Sequence, residues 1–288
     1  MTTYDVHQHL WPTSLVAALA ERTSAPLIRE HTLVLEQEGS FEIDPAVYGA
    51  DACIASLDRA GIDVAIVSCP PTLGIDRLAE SDADALRTAY HEGALEAIEA
   101  SGGRILALAM GVSLDGFVGT VVAAEELEDL DGIAELLDAI EERGAFLFVH
   151  PGAARPPAGA PGWWASAVDY TSQMQRAYAA WLAHGVERWP RLRIVFSILA
   201  GGAPFQLERM QSRGFDIRNA LHPTIYLDTS SYGRRALELC LATLGARQIV
   251  FGSDAPVVSP EMTLSHVRSF GQAATEALCH SNPESLLT

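Results

Sequence analysis

The sequence predicts an α/β protein built as a distorted (β/α)8 barrel. Short, almost continuously apolar runs recur along the 288 residues, and stretches with apolar residues three and four positions apart lie between them. This alternation is typical of parallel strands that helices cover on both faces. Eight candidate strands can be counted, and eight parallel strands are the number that closes such a barrel.

The candidate elements follow from the apolar runs and from the glycines that end the helical stretches. The predicted strands are Thr2–Val6, Val64–Cys69, Ile105–Met110, Val118–Val122, Ala145–Val149, Ile194–Leu199, Ile225–Leu227 and Gln248–Phe251. The predicted helices are Asp51–Ala60, Asp82–Ala100, Ile133–Arg143 and Gln173–Trp189. The connection Ser113–Gly116 is too short for a helix, so we expect one abbreviated barrel unit.

Residues 21–47 form a long insertion after the first strand. Within it, the β-rich runs His31–Glu36 and Ser40–Ile43 flank Glu38-Gly39, a pattern that predicts a β-hairpin. We expect this insertion to lie as a flap over the barrel mouth. Because no linker composition is visible, residues 1–288 are predicted to form one domain.

Composition excludes several classes of function. The net charge of −18 disfavours nucleic acid and anionic membranes as partners, and no apolar run has the roughly 20 residues of a membrane helix. The four cysteines are scattered without a Cys-x-x-Cys pair, so we expect reduced thiols and a cytoplasmic location. The positive residues are all arginine, which excludes a Schiff-base lysine, a P-loop lysine and a carboxylated lysine between two metals.

Metal-ligand residues follow several of the predicted strands, at the barrel end where such enzymes carry their sites. His7 and His9 follow the first strand, two positions apart and thus on one side of it. His150 follows the fifth strand and Asp254 the eighth. Three imidazoles and one carboxylate suit Zn²⁺, or another divalent ion such as Mn²⁺ or Fe²⁺, with a position left open for water. Asp254 is also the candidate catalytic residue, because the first and last strands are neighbours in a closed barrel.

Other readings of these residues remain open. Histidines at strand ends need not bind an ion, and Asp254 alone could cap the following helix. Trp11 and Trp163 are candidates to line a cavity for a flat substrate, although loop aromatics also pack structurally. Arg29 is a candidate clamp for a substrate carboxylate or else a solvated surface residue. Asp228, after the seventh strand, is a candidate substrate contact or simply a turn residue.

Four motifs in this order resemble the amidohydrolase-related family, in the branch that contains aminocarboxymuconate-semialdehyde decarboxylase. They are Asp5-Val6-His7-Gln8-His9, Phe148-Val149-His150-Pro151, Gly201-Gly202-Ala203-Pro204 and Phe251-Gly252-Ser253-Asp254. The resemblance covers essentially the whole chain and includes a closing Asn282-Pro283. It implies a distorted (β/α)8 barrel in which the three histidines and Asp254 hold a single metal. A homodimer is a further expectation that rests on the resemblance alone.

One departure from the family pattern affects the expected chemistry. The family usually carries a histidine at the end of the sixth strand, just before the glycines. Our alignment places Leu199 there, and no histidine lies between Val195 and Phe205. Leucine cannot donate a proton, and a positioned acid or base is typically worth roughly 10²–10⁴-fold in rate.

The functional prediction is therefore a metal-dependent hydrolase, in which metal-activated water attacks an ester, lactone or amide carbonyl of a small carboxylated or aromatic substrate. Asp254 would take up the proton of the water and return it to the leaving group. Two alternatives stay open. One is non-oxidative decarboxylation of an aromatic or muconate-type acid, which needs a proton donor. The other is a metal-binding barrel without turnover.

Overall fold

The computed structural model describes residues 1–288 and contains two sheets. The strands are β1 (Tyr4–His9), β2 (Leu27–Arg29), β3 (Thr32–Leu35), β4 (Gly39–Glu42), β5 (Val64–Ser68), β6 (Ile105–Met110), β7 (Gly119–Ala123), β8 (Phe146–His150), β9 (Arg193–Phe196), β10 (Ile225–Asp228) and β11 (Ile249–Val250). Eight of them form one parallel sheet in the order β1-β5-β6-β7-β8-β9-β10-β11. The eight predicted strands and the predicted (β/α)8 class are confirmed.

The ends of this sheet meet through main-chain hydrogen bonds between β1 and the segment that follows β11. The Val6 amide donates to the Phe251 carbonyl at 2.9 Å, and the His9 amide donates to the Ala255 carbonyl at 2.7 Å. The Asp254 amide donates to the His7 carbonyl at 2.9 Å. The first and last strands are therefore neighbours, which sets their functional side chains side by side.

Helices cover the outside of the barrel. They are Thr13–Glu21, Ala50–Ala60, Glu80–Ala100, Ala134–Glu142, Tyr170–Ala180, Val186–Arg188, Pro204–Gln211, Arg234–Leu244, Pro260–Arg268, Gln272–Glu276 and Asn282–Leu287. The helix Ala50–Ala60 ends at Gly61, whose left-handed backbone (φ 67°) suits glycine. No helix joins β6 to β7, so the abbreviated unit predicted from the sequence is present. No helix is long and apolar enough to cross a membrane.

Two apolar clusters hold the barrel together. The larger one, of 60 buried residues, lies between the strands and the surrounding helices. The smaller one fills the barrel interior with Val6, Ile66, Leu108, Val121, Phe146, Phe148, Val195, Tyr226, Val250 and Leu286. Leu286 comes from the last helix and so seals the interior from the end opposite to the strand carboxyl termini. All four cysteines are buried and free.

The second sheet is the insertion after β1. It is antiparallel with the order β2-β3-β4, so the predicted hairpin β3–β4 is present and β2 is an additional strand that the sequence did not predict. Leu33, Leu35 and Phe41 of this sheet line the same cavity as His9 and His150. The tip is tied down by Glu38, which accepts hydrogen bonds from the Ala154 amide (2.8 Å) and the Tyr170 hydroxyl (2.7 Å).

A left-handed turn, Ile198–Gly202, follows β9. Ile198, Leu199 and Ala200 have φ angles of 44°, 49° and 52°, which residues other than glycine rarely adopt. The turn is held at its start, where the Ile198 amide donates to Asp228 Oδ1 at 3.0 Å. As a result Ile198 faces the cavity, while Leu199 is buried in the larger core cluster.

Candidate metal centre and its cavity

The carboxyl ends of the barrel strands bring four polar side chains together. His7 and His9 lie at the end of β1, His150 ends β8, and Asp254 follows β11. One ligand atom from each residue lies within 4.8 Å of the others. The three imidazole rings meet edge to face, with centroids 5.0 to 5.1 Å apart. The structure thus brings together every residue that the sequence predicted as a metal ligand.

His7 is oriented from behind by Asp228. Its Nδ1 lies 2.7 Å from Asp228 Oδ2 and 3.1 Å from the Ser230 hydroxyl. The carboxylate itself is fixed by the amides of Ser230 and Ile198, at 2.9 and 3.0 Å. Burial lowers the pKa of His7, but the charge and hydrogen bond of Asp228 outweigh it and leave that pKa raised. In the neutral form of the ring, Asp228 holds the proton on Nδ1, and Nε2 then carries the lone pair that a metal needs.

The other two imidazoles are held as neutral bases. His150 Nδ1 donates to the Pro151 carbonyl at 2.9 Å, which leaves Nε2 as the acceptor atom. Burial, with the neighbouring His9, lowers the pKa of His150 well below its ordinary value. Burial also lowers the pKa of His9. Both pKa shifts favour the neutral imidazole, which is the form that binds a metal.

Asp254 completes the cluster from the opposite side of the strand junction. Its Oδ1 lies 2.9 Å from His9 Nε2 and 3.6 Å from His7 Nε2, and the Ser231 hydroxyl donates to Oδ2 at 3.2 Å. Burial alone would raise the pKa of Asp254, but the His9 hydrogen bond and the surrounding imidazoles lower it to about 2. The side chain is 15 % exposed, so it can meet a molecule in the cavity.

Asp5 supports the cluster, although it was not among the site residues predicted from the sequence. Its Oδ1 accepts hydrogen bonds from the amides of His7 (3.2 Å) and Ser253 (3.0 Å), and so it joins β1 to the segment before Asp254. Burial raises the pKa of Asp5 to about 6. Gly252 contributes by its size, because a Cβ there would lie 2.8 Å from the Cβ of His7. The sequence signal for this supporting role is the position of Asp5, two residues before His7 and therefore on the same face of the strand.

The cluster fits a divalent metal ion. His7 Nε2 is buried and has no hydrogen-bond partner within the protein, an arrangement that is costly unless another group satisfies the atom. That atom faces the other ligand atoms of the cluster. Three nitrogens and one carboxylate oxygen are a donor set that zinc and other first-row divalent metals accept. His7, His9, His150 and Asp254 are the residues that could hold the ion.

A cavity of about 780 Å³ opens above the cluster. His9, His150 and Asp254 contribute to its lining from the barrel, Ile43 contributes from the inserted segment, and Tyr48 follows directly after that segment. Thirteen of the 23 lining residues are hydrophobic. This size and composition are typical of a site for a small organic molecule.

The four candidate substrate contacts lie in different places. Trp11 lines the cavity and stacks on Tyr48, with ring centroids 4.3 Å apart. Asp228 is fully buried behind His7 and does not line the cavity. Arg29 donates to the carbonyls of Ala20 and Ile28 outside the cavity. Trp163 is 59 % exposed and is also outside the lining. Geometry thus gives Asp228 an orienting position rather than a contact with substrate.

At the end of β9 the residue that lines the cavity lies one position before the residue that the sequence alignment indicated. Ile198 lines the cavity, whereas Leu199, which the sequence alignment placed there, is buried behind it. The left-handed turn that starts at Ile198 explains the difference, because it turns this side chain toward the mouth. The chemical conclusion stands, since the position that faces the cluster carries a side chain without a titratable group.

Fold and site together define the class of protein: a (β/α)8 barrel with a candidate single-metal centre at its mouth. The chain belongs to the amidohydrolase family, because the family model Amidohydro_2, described as Amidohydrolase, matches residues 4–288. The resemblance noted from the four sequence motifs is therefore confirmed. No curated protein matches the chain.

Solved structures share the fold along nearly the whole chain. IDCase from Metarhizium anisopliae is 19% identical with a TM-score of 0.81, covering 99% of this chain and 97% of that one. 5-Carboxyvanillate decarboxylase from Sphingomonas paucimobilis is 15% identical, with a TM-score of 0.76 and coverage of 99% and 98%. A dihydroxybenzoic acid decarboxylase from a Polaromonas species, with bound manganese and an inhibitor, is 16% identical, with a TM-score of 0.72 and coverage of 99% and 96%. At these identities the likeness concerns the fold.

Proposed function

We propose that the protein is a metal-dependent hydrolase that cleaves an ester, lactone or amide bond of a small molecule. The observation that carries this proposal is the environment of Asp254. It is a carboxylate with its pKa lowered to about 2, it reaches the cavity, and it lies 2.9 Å from a candidate metal ligand. This pKa keeps the carboxylate ionised at neutral pH, and an ionised carboxylate that reaches the cavity can accept the proton that hydrolysis takes from water.

A divalent ion held by His7, His9, His150 and Asp254 would supply Lewis acidity, polarising a carbonyl oxygen and making water more acidic. Asp254 would accept the proton of the attacking water and pass it to the leaving group. Ser231 would steady the same carboxylate through its bond to Oδ2. Asp228 would keep the His7 proton on Nδ1, away from the reacting side of the ring.

Decarboxylation of an aromatic acid is the second candidate. Two observations favour it: the structurally similar proteins named above include decarboxylases, and an apolar cavity wall disfavours a charged carboxylate relative to neutral CO₂. Ile198 weighs against it, because the end of β9 offers no acid to protonate the product carbanion. This contrast is the reason for placing hydrolysis first.

One experiment separates these candidates. The purified protein is loaded with Zn²⁺ or Mn²⁺ and offered uncharged aryl esters, lactones and anilides, and in parallel aromatic carboxylic acids, with release of acid and of CO₂ both recorded. We expect metal-dependent acid release. We also expect Asp254→Asn to lower it by roughly 10²–10⁴-fold. Asp115→Asn, an exposed acid paired with Arg143, is the matched control and should keep wild-type rates.

Metal content is measured in each variant, so that loss of the ion and loss of the base can be told apart. CO₂ release without acid release would replace hydrolysis by decarboxylation. Absence of turnover in metal-loaded protein on every substrate would leave a metal-binding barrel without catalysis and would overturn the proposal.

A further inference from the structure

The cavity lining contains no positively charged side chain. The chain has no lysine, and none of its arginines is among the 23 lining residues. Two arginines, one in the inserted segment and one bonded to it, have partners outside the cavity lining. Arg29 donates to main-chain carbonyls, and Arg77 pairs with Glu125 while bonding Gln37 at the flap tip. A substrate carboxylate away from the reacting carbonyl would find no counter-ion.

The charges that do line the cavity are negative. Asp254 lies at the metal end, where a bound divalent ion would offset its charge, and Glu42 lies at the exposed edge formed by β4. The net charge of −18 adds a negative potential over the whole molecule, which lowers the local concentration of anions in a cleft. Burying an unpaired carboxylate among apolar walls is unfavourable even without this repulsion.

The remaining surface suits a flat, uncharged body. Leu33, Leu35 and Ile43 form an apolar wall on the inserted segment. The Trp11–Tyr48 stack, with an interplanar angle of 18°, presents a second apolar wall. Aromatic rings favour such surfaces, where offset stacking adds to the burial of apolar area. The other polar lining residues, among them Glu42, Thr72, Ser166 and Thr171, include no cation, so none is a counter-ion for a remote carboxylate.

We propose that this site selects substrates that carry no charge away from the reacting carbonyl: uncharged esters or lactones of an aromatic or similarly flat apolar group. The assignment of the substrate as an ester or lactone rests on the proposed hydrolytic function, whereas the selection against charge concerns binding alone. It distinguishes this chain from a hydrolase of carboxylated substrates, a substrate class that the sequence left open.

A pair of slowly reacting amides tests the binding step independently of turnover. Acetanilide and 4-acetamidobenzoate share the same anilide group and differ by one remote carboxylate at the para position. Binding of each to the metal-loaded protein is measured by equilibrium dialysis, with 4-(aminomethyl)acetanilide as the cationic member. We expect acetanilide to bind at least about tenfold more tightly than 4-acetamidobenzoate, because an unpaired buried charge is costly. Equal or tighter binding of either charged compound would overturn the inference.

The corresponding esters, phenyl acetate and 4-acetoxybenzoate, then test turnover. We expect Glu42→Arg to shift the ratio of their kcat/KM values by about fivefold toward the carboxylated ester at low salt, and less at high salt. Glu36→Arg makes the same charge change in the turn between β3 and β4, outside the cavity, and should leave the ratio unchanged. An equal shift in both variants would overturn the inference. If neither ester is hydrolysed while acetanilide is preferred, the proposed function fails and the selectivity stands.

Discussion

Asp228→Asn is the most informative single change, because it alters one atom and leaves the shape of the site intact. In the wild type, Oδ1 accepts from the amides of Ile198 and Ser230, and Oδ2 accepts from His7 Nδ1 at 2.7 Å. Asparagine keeps an oxygen for the two amides and must then turn its NH₂ group toward His7. Two donors would face each other, so the imidazole proton would move to Nε2.

The expected cost follows from the position of that proton. Nε2 is the atom of His7 that faces the other candidate ligands, and a protonated nitrogen has no lone pair for a metal. Loss of an orienting carboxylate behind a histidine ligand typically costs 10–100-fold in metal affinity, or about 1.4 to 2.8 kcal/mol. We expect an increase of this size in the dissociation constant for Zn²⁺.

The assay is a competition titration of Zn²⁺ against a chromophoric chelator at fixed pH, with thermal unfolding of the metal-free protein measured alongside. Asp131→Asn is the matched control, since this exposed acid pairs only with Arg188 on the surface, and its affinity should equal the wild type. An Asp228→Asn protein that binds Zn²⁺ as tightly as the wild type would refute the orienting role of Asp228.

Three further predictions concern stability and are measured by urea unfolding. Gly93→Ala should destabilise the fold by about 1–3 kcal/mol, because the new Cβ would lie 2.3 Å from Pro12, whereas Gly162→Ala, with open space around it, should not. Leu286→Ala should cost about 2–5 kcal/mol by leaving a cavity in the barrel interior, and a loss below this range would contradict its sealing position. Burial raises the pKa of Glu126 to about 7, so its neutral form is favoured in the folded state. The unfolding free energy should therefore fall as pH rises from about 4.5 through 7. Glu126→Gln should remove part of that fall.

The barrel could be predicted from sequence because its information is local. Each strand is a short apolar run between turn residues, and the ligands at the ends of β1 and β8 follow those runs directly. Once eight parallel strands are assumed, their carboxyl ends must meet, so His7, His150 and Asp254 converge without any knowledge of side-chain packing.

What could not be predicted depends on contacts between segments distant in the chain. Asp228 is a turn residue by its neighbours, and only closure of the barrel, which brings the carboxyl ends of β10 and β1 to one mouth, places it behind His7. The register at Ile198 depends on a left-handed turn whose non-glycine residues give no local indication of it. Arg29 was a candidate either to bind a substrate carboxylate or to be a solvated surface residue, and the structure shows it donating to nearby main-chain carbonyls.

The closure of the barrel between β1 and the segment after β11 has a consequence for the order of folding. The hydrogen bond from His9 to Asp254 joins residues 245 positions apart. The entropic cost of closing so long a loop is compensated only late in folding, after the intervening units have collapsed. A chain on the ribosome with only β1 emerged offers two imidazoles on a flexible segment. Full coordination arises when the last strand docks, so uptake of the ion would mark completed folding.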